Sequence, residues 1–279
     1  MAPAVPGPPN RLYVRERRAG SLAATGRVWL AFVLTWLGGF VDTVGVLVLL
    51  RVLVANMSGN TIHLGIGLAE RRWGETLPRA FVFPTFLLGL MASRLLLHVA
   101  RRRAILRVAS WLFGLEALLL LVFLLLGGGG VGEKETVLPT ARFCLLLALP
   151  ALAMGLQNAT LTHFGPLTVR TTHVTGNLVH FAEDCADILL ALHDRTRGRK
   201  GASLAQAFAE IRREPTYRQA ILLAVVWLSY LVGALSGALL TLRWGLVALA
   251  LPIAGLALLV GADLLSPLLR FEAVKPPGG

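Results

Sequence analysis

The sequence has few charged residues and few cysteines, and both shortages limit what the protein can be. Only 15% of its 279 residues are charged, whereas 56% are hydrophobic, which is too apolar for a soluble globular protein of this length. Cys144 and Cys185 provide neither a disulfide framework nor a C-x-x-C metal motif. The metalloprotease, serine-hydrolase and P-loop signatures are also missing. We therefore expect no metal, no cofactor and no enzymatic activity.

The charges that are present are mostly basic, with 27 Lys and Arg against 15 Asp and Glu. In a soluble domain this excess would suggest nucleic-acid binding. Here the basic residues cluster between long apolar stretches, at 11–18, 101–107 and 195–200. Basic loops next to membrane spans set orientation and attract anionic lipid headgroups. We therefore expect the lipid bilayer as a partner and no binding of nucleic acid.

Apolar stretches long enough to cross a bilayer recur along the chain. About twenty residues of helix span the hydrocarbon core, and six stretches reach that length. The chain is therefore predicted to be an all-α, multi-pass protein of the inner (plasma) membrane. The predicted spans are 28–50, 80–99, 106–126, 140–161, 219–241 and 244–266.

A short polar motif occurs twice. Ser58-Gly59-Asn60, with His63 three residues later, returns as Thr175-Gly176-Asn177 with His180 at the same distance. Membrane domains that repeat internally often place their working site where the two halves meet. The two histidines could relay protons, because imidazole titrates near neutral pH. Alternatively, they are ordinary polar residues of a helix face.

The match extends to the sequence around both copies. Asp42 precedes the first copy and Gln157-Asn158 the second, and segments 86–89 and 230–233 correspond further on. Two repeated halves are therefore predicted. The organisation is a disordered basic cytoplasmic tail (1–27), a first membrane repeat (28–126), a Gly-rich loop (127–139), a second membrane repeat (140–266) with a cytoplasmic insertion (193–217) that holds a short amphipathic helix, and a C-terminal tail (267–279).

The two segments that begin at the motif are poor membrane spans. The first, 58–69, is short, and the second, 176–192, carries three acids. Re-entrant or half-length helices are expected for both. Three full spans per half then make the second half inverted and place both termini in the cytoplasm. If each short segment crosses instead, eight helices form parallel repeats. The distribution of Lys and Arg fits both arrangements, whereas segment length and acidity favour the inverted one.

The amino end of a helix carries a partial positive charge and an anion-binding set of amides. Two such ends facing one another predict a site for a small anion or a carboxylate-bearing solute. The alternative is that each motif forms only a turn and a helix cap. The candidate substrate-binding residues are Asp42, Ser58, Gly59, Asn60, His63, Gln157, Asn158, Thr175, Gly176, Asn177 and His180.

Several ionisable residues lie inside predicted spans. Asp42, in the first span, costs about 2.5–3.5 kcal/mol on insertion scales and should face a partner inside the protein. Arg94, in the second span, is the expected partner in a buried ion pair. Glu116 and Asp263 are further acids, in the third and last spans.

Four motifs together resemble the YoaK-like family of bacterial multi-spanning membrane proteins, which is defined as a domain of unknown function. They are Trp36–Asp42, Asn56–Thr61, Gly155–Ala159 and Arg170–Asn177. The resemblance covers about 28–266. It implies an inner-membrane protein of the six-span type and nothing catalytic.

The residues themselves lead to two functional hypotheses. The first is a small secondary transporter or channel-like protein with its site between the halves. The second is a non-transporting membrane scaffold or sensor, whose basic tail and insertion bind lipid or a cytoplasmic partner. Neither the solute nor the oligomeric state is indicated.

Overall fold

The computed structural model describes residues 11–103, 105, 107–128, 140–160, 174–197 and 204–268, with the backbone alone for 11–28, 159 and 160. Within these ranges the chain is helical and contains no strand, so the all-α prediction is confirmed. The helices are α1 (Arg11–Val48), α2 (Met57–Ala69), α3 (Trp73–Arg102), α4 (Val108–Gly127), α5 (Ala141–Thr160), α6 (Val174–Arg197), α7 (Leu204–Ile211), α8 (Pro215–Trp244) and α9 (Ala250–Leu265), with a 3-10 turn at Gly245–Leu249 between the last two.

Five helical segments of the described chain are long and apolar enough to cross a membrane. They are Trp29–Val48, Trp73–Arg102, Val108–Gly127, Ala141–Asn158 and Pro215–Leu265. The last one contains both of the final two predicted spans, because only the 3-10 turn separates α8 from α9. Gly245 ends α8 with a φ of 60°, a backbone conformation that glycine adopts readily. The chain is thus a multi-pass helical membrane protein with five candidate spans, against the six predicted.

Two long helix pairs form the centre of the bundle: α1 packs along α8, and α5 packs along α3. Glycines bring the backbones together in both pairs. A Cβ on Gly39 of α1 would collide with the carbonyl oxygen of Tyr230 in α8, and one on Gly155 of α5 would collide with that of Phe86 in α3. Such small residues allow membrane helices to approach closely. Phe86 and Tyr230 are also the matched residues of segments 86–89 and 230–233.

The two motif helices lie at the periphery. α2 packs against α3, whereas α6 packs against α8 and α7. α2 has 13 residues and buries only Asn60 and Gly67. α6 has 24 residues and buries only Asn177. A helix of 24 residues is about 36 Å long, so α2 has the predicted half length and α6 is longer, which leaves the re-entrant alternative as the prediction for α6.

The structure tests two predictions about segments outside the membrane spans, the tail 1–27 and the insertion 193–217. α1 begins at Arg11, so the structure has helix within the segment 1–27 that was predicted as a disordered tail. The short amphipathic helix expected in the insertion is α7. Its Ile211 is buried, and its Phe208 ring packs edge-on against Tyr217 at 5.9 Å. Hydrophobic spacing of three to four residues identified this helix correctly.

Candidate functional site

The chain turns back along α1 after that helix ends at Val48. Asp42 lies six residues before this end, about 9 Å down the helix axis. Its Oδ1 atom accepts hydrogen bonds from the backbone N–H groups of Val54 and Ala55, at 2.7 Å and 2.8 Å. Residues 49–56, called the return loop below, therefore run back into the bundle, and α2 begins beside Asp42.

The other oxygen of Asp42 is bound by two side chains. The Tyr230 hydroxyl donates to Oδ2 at 2.8 Å, and the Asn56 amide donates to the same atom. Asn56 also donates to the Tyr230 hydroxyl, which closes a triangle between α1, the return loop and α8. Four donors thus converge on a fully buried carboxylate. Charge-assisted bonds of this kind stabilise an ionised carboxylate without a cation.

The predicted ion pair between Asp42 and Arg94 is wrong. Arg94 is exposed and lines an open groove of about 330 Å³ with Leu97, His98 and Arg101. Both oxygens of Asp42 are bonded to four donors, and none of these donors is a cation. Arg94 can meanwhile extend along the apolar surface of α3 toward water, as long basic side chains do near membrane interfaces.

Asn60, the last residue of the first motif, holds the return loop. Its Oδ1 accepts the N–H of Leu53 at 3.0 Å, and its Nδ2 donates to the carbonyl of the same residue. Its neighbour Gly59 leaves room for the Leu53 side chain, which an added Cβ would meet. Both ends of the buried amide are therefore used within the protein. The Asn60 side chain is not a helix cap, because its hydrogen bonds go to Leu53.

The far end of the return loop is held from α3. Leu50 and Arg51 both have positive φ angles, 50° and 59°, which residues other than glycine rarely adopt. The almost buried guanidinium of Arg79 donates to the Leu50 carbonyl at 3.3 Å. It also pairs with Glu75 at 3.2 Å. The return loop is thus bound by α1, α2, α3 and α8.

In the second predicted half, Gln157 and Asn158 are buried in α5. Gln157 donates to the Leu34 carbonyl of α1, and its Oε1 has no hydrogen-bond partner among the described residues. Asn158 donates to the Met154 carbonyl of its own helix at 3.0 Å. Both residues therefore contact helix backbone, and Gln157 links the two predicted halves.

Most of the remaining predicted site residues lie at the surface, and Asn177 is buried. His180 bonds Glu183 on its own helix at 3.0 Å. Asp42, Asn60 and Gly59 meet at the return loop, whereas α2 and α6 pack against different helices. Of these predicted site residues, Gly59 is half-buried and Asn177 is buried. The exposed ones are Ser58, His63, Thr175, Gly176 and His180.

Sequence reasoning missed Asn56 and Tyr230. Asn56 stands two residues before the first motif, so its position near a functional turn was visible. Tyr230 matches Phe86, and Asp42 matches Asn158. The hydroxyl and the carboxylate that bond to each other are thus both missing from the matched positions. The simultaneous change of both residues between the matched positions was the sequence signal for the Asp42–Tyr230 hydrogen bond.

Comparison with known proteins matches the part of the chain that contains the site around Asp42. The profile of a family described as "Protein of unknown function (DUF1275)" matches residues 30–262. The chain belongs to this family. The "UPF0700 transmembrane protein YoaK" of Bacillus subtilis (strain 168) is 25% identical over 217 residues, which are 78% of this chain and 85% of that protein. No solved structure matches. The expected YoaK-like resemblance is confirmed, and the DUF1275 match includes Asp42, the return loop and Tyr230.

Proposed function

We propose that this DUF1275 protein is a small secondary transporter or channel-like protein for a small anion or a carboxylate-bearing solute, with no catalytic step. The supporting observation is the site around Asp42. There the protein binds one of its own carboxylates with two return-loop amides, the Asn56 amide and the Tyr230 hydroxyl. The site lies where α2 begins, and the amino end of a helix favours negative charge.

The second half supplies no such carboxylate at the matched position, because Asn158 replaces Asp42. In our proposal a solute carboxylate or inorganic anion provides the charge that Asn158 lacks. This requires the second half to be a related, inverted copy of the first. The contacts of Gly39 with Tyr230 and of Gly155 with Phe86 support that relation, because they join matched positions.

The orientation belongs to the same proposal. Segments 51–79 and 127–139 lie outside, whereas both termini, 100–107 and 162–217 lie in the cytoplasm. Basic clusters at 101–107 and 195–200 then face the cytoplasm, as positive-inside orientation requires. Inverted halves in secondary transporters present helix amino ends to a site near the middle of the membrane.

The test is anion flux from liposomes that contain the purified protein, with chloride, nitrate, acetate and succinate as probes. We expect flux of at least one anion. Asn158→Asp should abolish it, because the new carboxylate fills the place of the solute anion as Asp42 does in the first half. Asn158→Gln, which keeps the amide, is the matched control. Absence of flux for all four anions through folded wild-type protein would refute the proposal.

The scaffold or sensor hypothesis is favoured by one observation, the surface of α7. Leu204 is 66% exposed and Phe208 is 42% exposed, although both belong to a helix outside the candidate spans. A lipid surface or a cytoplasmic partner could cover these side chains. Under the transport proposal, Leu204→Ser leaves anion flux unchanged. Under the scaffold hypothesis, the wild-type protein carries no flux, and the Leu204→Ser variant no longer binds its partner.

A further inference from the structure

Three carboxylic acids are fully buried in the described helices: Asp42, Glu116 and Asp263. Two of them are surrounded by donors. The bonds of Asp42 are described above. Asp263 accepts from the Ser110 N–H at 2.9 Å, from the Ser110 hydroxyl, and from the Leu268 N–H at 2.7 Å. Both therefore have the bonds that stabilise an ionised carboxylate.

Glu116 is different. Its side chain is 1% exposed, and its Oε1 atom has no hydrogen-bond partner among the described residues. It is the ninth of the 20 residues of α4 and the only charged one. Its Cα atom lies about 12 Å from one end of the helix and about 16 Å from the other. The carboxyl group is therefore near the middle of an apolar membrane-spanning helix.

The side chains around Glu116 on the same face of α4 are apolar. One turn before it are Leu112 and Phe113, and after it are Leu120 and Phe123, all of them buried. This face packs against α5 and α9. No salt bridge of the described chain includes Glu116, and its Oε1 atom has no hydrogen-bond donor there.

The charged and titratable groups of the neighbouring helices lie away from the Glu116 carboxyl group. Arg142 of α5 donates to the Leu126 carbonyl, ten residues along α4 and about 15 Å away. Asp263 of α9 is bound to Ser110, about 9 Å toward the other end. The 3-10 turn has no charged residue. Those that remain on α5 and on the adjoining end of α3 are Cys144, which is a free thiol, the exposed Arg102, and Arg94, His98 and Arg101, which line the open groove.

We propose that Glu116 is a proton-binding site at membrane depth, and that its carboxyl group is protonated in this structure. An ionised carboxylate in a low-dielectric interior, without a partner, loses several kcal/mol of hydration energy. The neutral acid avoids that loss. A metal cation would need several more oxygen ligands, which these apolar neighbours do not offer. Ionisable residues of this kind in membrane helices serve as proton sites.

This site does not depend on the proposed transport. If anion flux is found, the proton on Glu116 is the natural coupling ion, because its binding neutralises the carboxylate. If no anion is transported, the proton site stands on its own. The experiment therefore observes the proton directly and does not use flux.

Infrared spectroscopy of the purified full-length protein at neutral pH tests the proposal. A protonated carboxyl group has a carbonyl stretching band that a carboxylate lacks. The wild-type spectrum minus that of Glu116→Gln should contain this band. Asp42→Asn and Asp263→Asn are matched controls, and their difference spectra should contain carboxylate bands instead. A carboxylate band in the Glu116→Gln difference spectrum would overturn the proposal.

A chemical label gives a second readout. Dicyclohexylcarbodiimide is apolar and reacts with protonated carboxyl groups: the proton moves to a carbodiimide nitrogen, the carboxyl oxygen bonds to the central carbon, and an acyl shift leaves a stable N-acylurea. Mass spectrometry of peptides should find this adduct on Glu116 and not on Asp42 or Asp263. Preferential labelling of Asp42 or Asp263 over Glu116 would contradict the assignment.

Discussion

The Tyr230 hydroxyl of α8 donates a 2.8 Å hydrogen bond to Asp42 of α1, 188 positions earlier in the chain. The bond lies where the return loop meets both helices, and Asn56 of that loop contacts both partners. The matched positions are Asn158 in the second predicted half and Phe86 in the first, and these two residues cannot form this bond. The pair therefore makes the two predicted halves chemically different at one defined place.

Removing the Tyr230 hydroxyl should lower the thermal stability of the protein. Tyr230→Phe leaves Asp42 with three donors, and a hydrogen bond to a charged group contributes about 1.5–3 kcal/mol. We expect a lower midpoint of thermal unfolding in detergent. Tyr217→Phe is the control, because the Tyr217 ring packs on Phe208 and Phe keeps that ring. Equal midpoints for Tyr230→Phe and wild type would show that the bond contributes nothing.

The close helix contacts should not tolerate a methyl group. A Cβ at Gly155 would collide with the backbone of Phe86, and one at Gly233 with the backbone of Trp36. Both Ala variants should lose about 1–3 kcal/mol of stability. Gly114→Ala is the control in α4, because outside its own helix backbone no atom lies within 4 Å of its added Cβ and Ala stabilises a helix by up to about 1 kcal/mol relative to Gly. The midpoint of thermal unfolding is measured for the three variants and the wild type. A Gly155→Ala variant as stable as the wild type would contradict the close contact with Phe86.

The Asn60 side chain should control the return loop. Asn60→Ala leaves the half-buried N–H and carbonyl of Leu53 without the Asn60 side chain, and a lost hydrogen bond of this kind costs about 1–3 kcal/mol. Hydrogen–deuterium exchange of the Leu53 amide should become roughly tenfold faster as local opening becomes easier. His63→Ala, on the exposed face of the same helix, should leave this exchange unchanged. Slow exchange in Asn60→Ala would mean that other contacts hold the loop.

Accessibility of introduced cysteines tests the inverted arrangement. In a background without Cys144 and Cys185, an impermeant thiol reagent should label a cysteine at Gly74 in intact cells. A cysteine at Arg212 should react only after the membrane is opened. Protection of both positions in intact cells would indicate parallel repeats with eight crossings, and the proposed site between inverted halves would lose its geometric basis.

Asp42 shows how far the sequence led toward the site. An acid within an apolar span must have a partner, so its importance was predictable from its position. The choice of Arg94 was wrong because opposite charge is visible in a sequence, whereas backbone amides are not. Two of the four donors are N–H groups of the return loop. Their approach to Asp42 depends on how the chain folds after Val48.

Asn60 and α6 illustrate the same limit. The motif correctly marked Asn60 as a special residue, but its ligand is the backbone of Leu53 and not a solute. The acidity of α6 suggested a short helix, whereas the helix continues to Arg197. Acidic side chains are compatible with a long helix when that helix lies at the periphery and buries only Asn177.

By itself, the sequence determined the helical class, the membrane environment and which acids lie within apolar stretches, whereas it divided the joined region of α8 and α9 into two spans. Hydropathy and helical spacing are properties of neighbouring residues, so they can be read along the chain. Only the tertiary structure decided which helices pair, which donors surround Asp42 and Asp263, and that Glu116 has none at its Oε1. Those relationships join residues far apart in sequence, and they depend on close backbone contact at glycines such as Gly39 and Gly155.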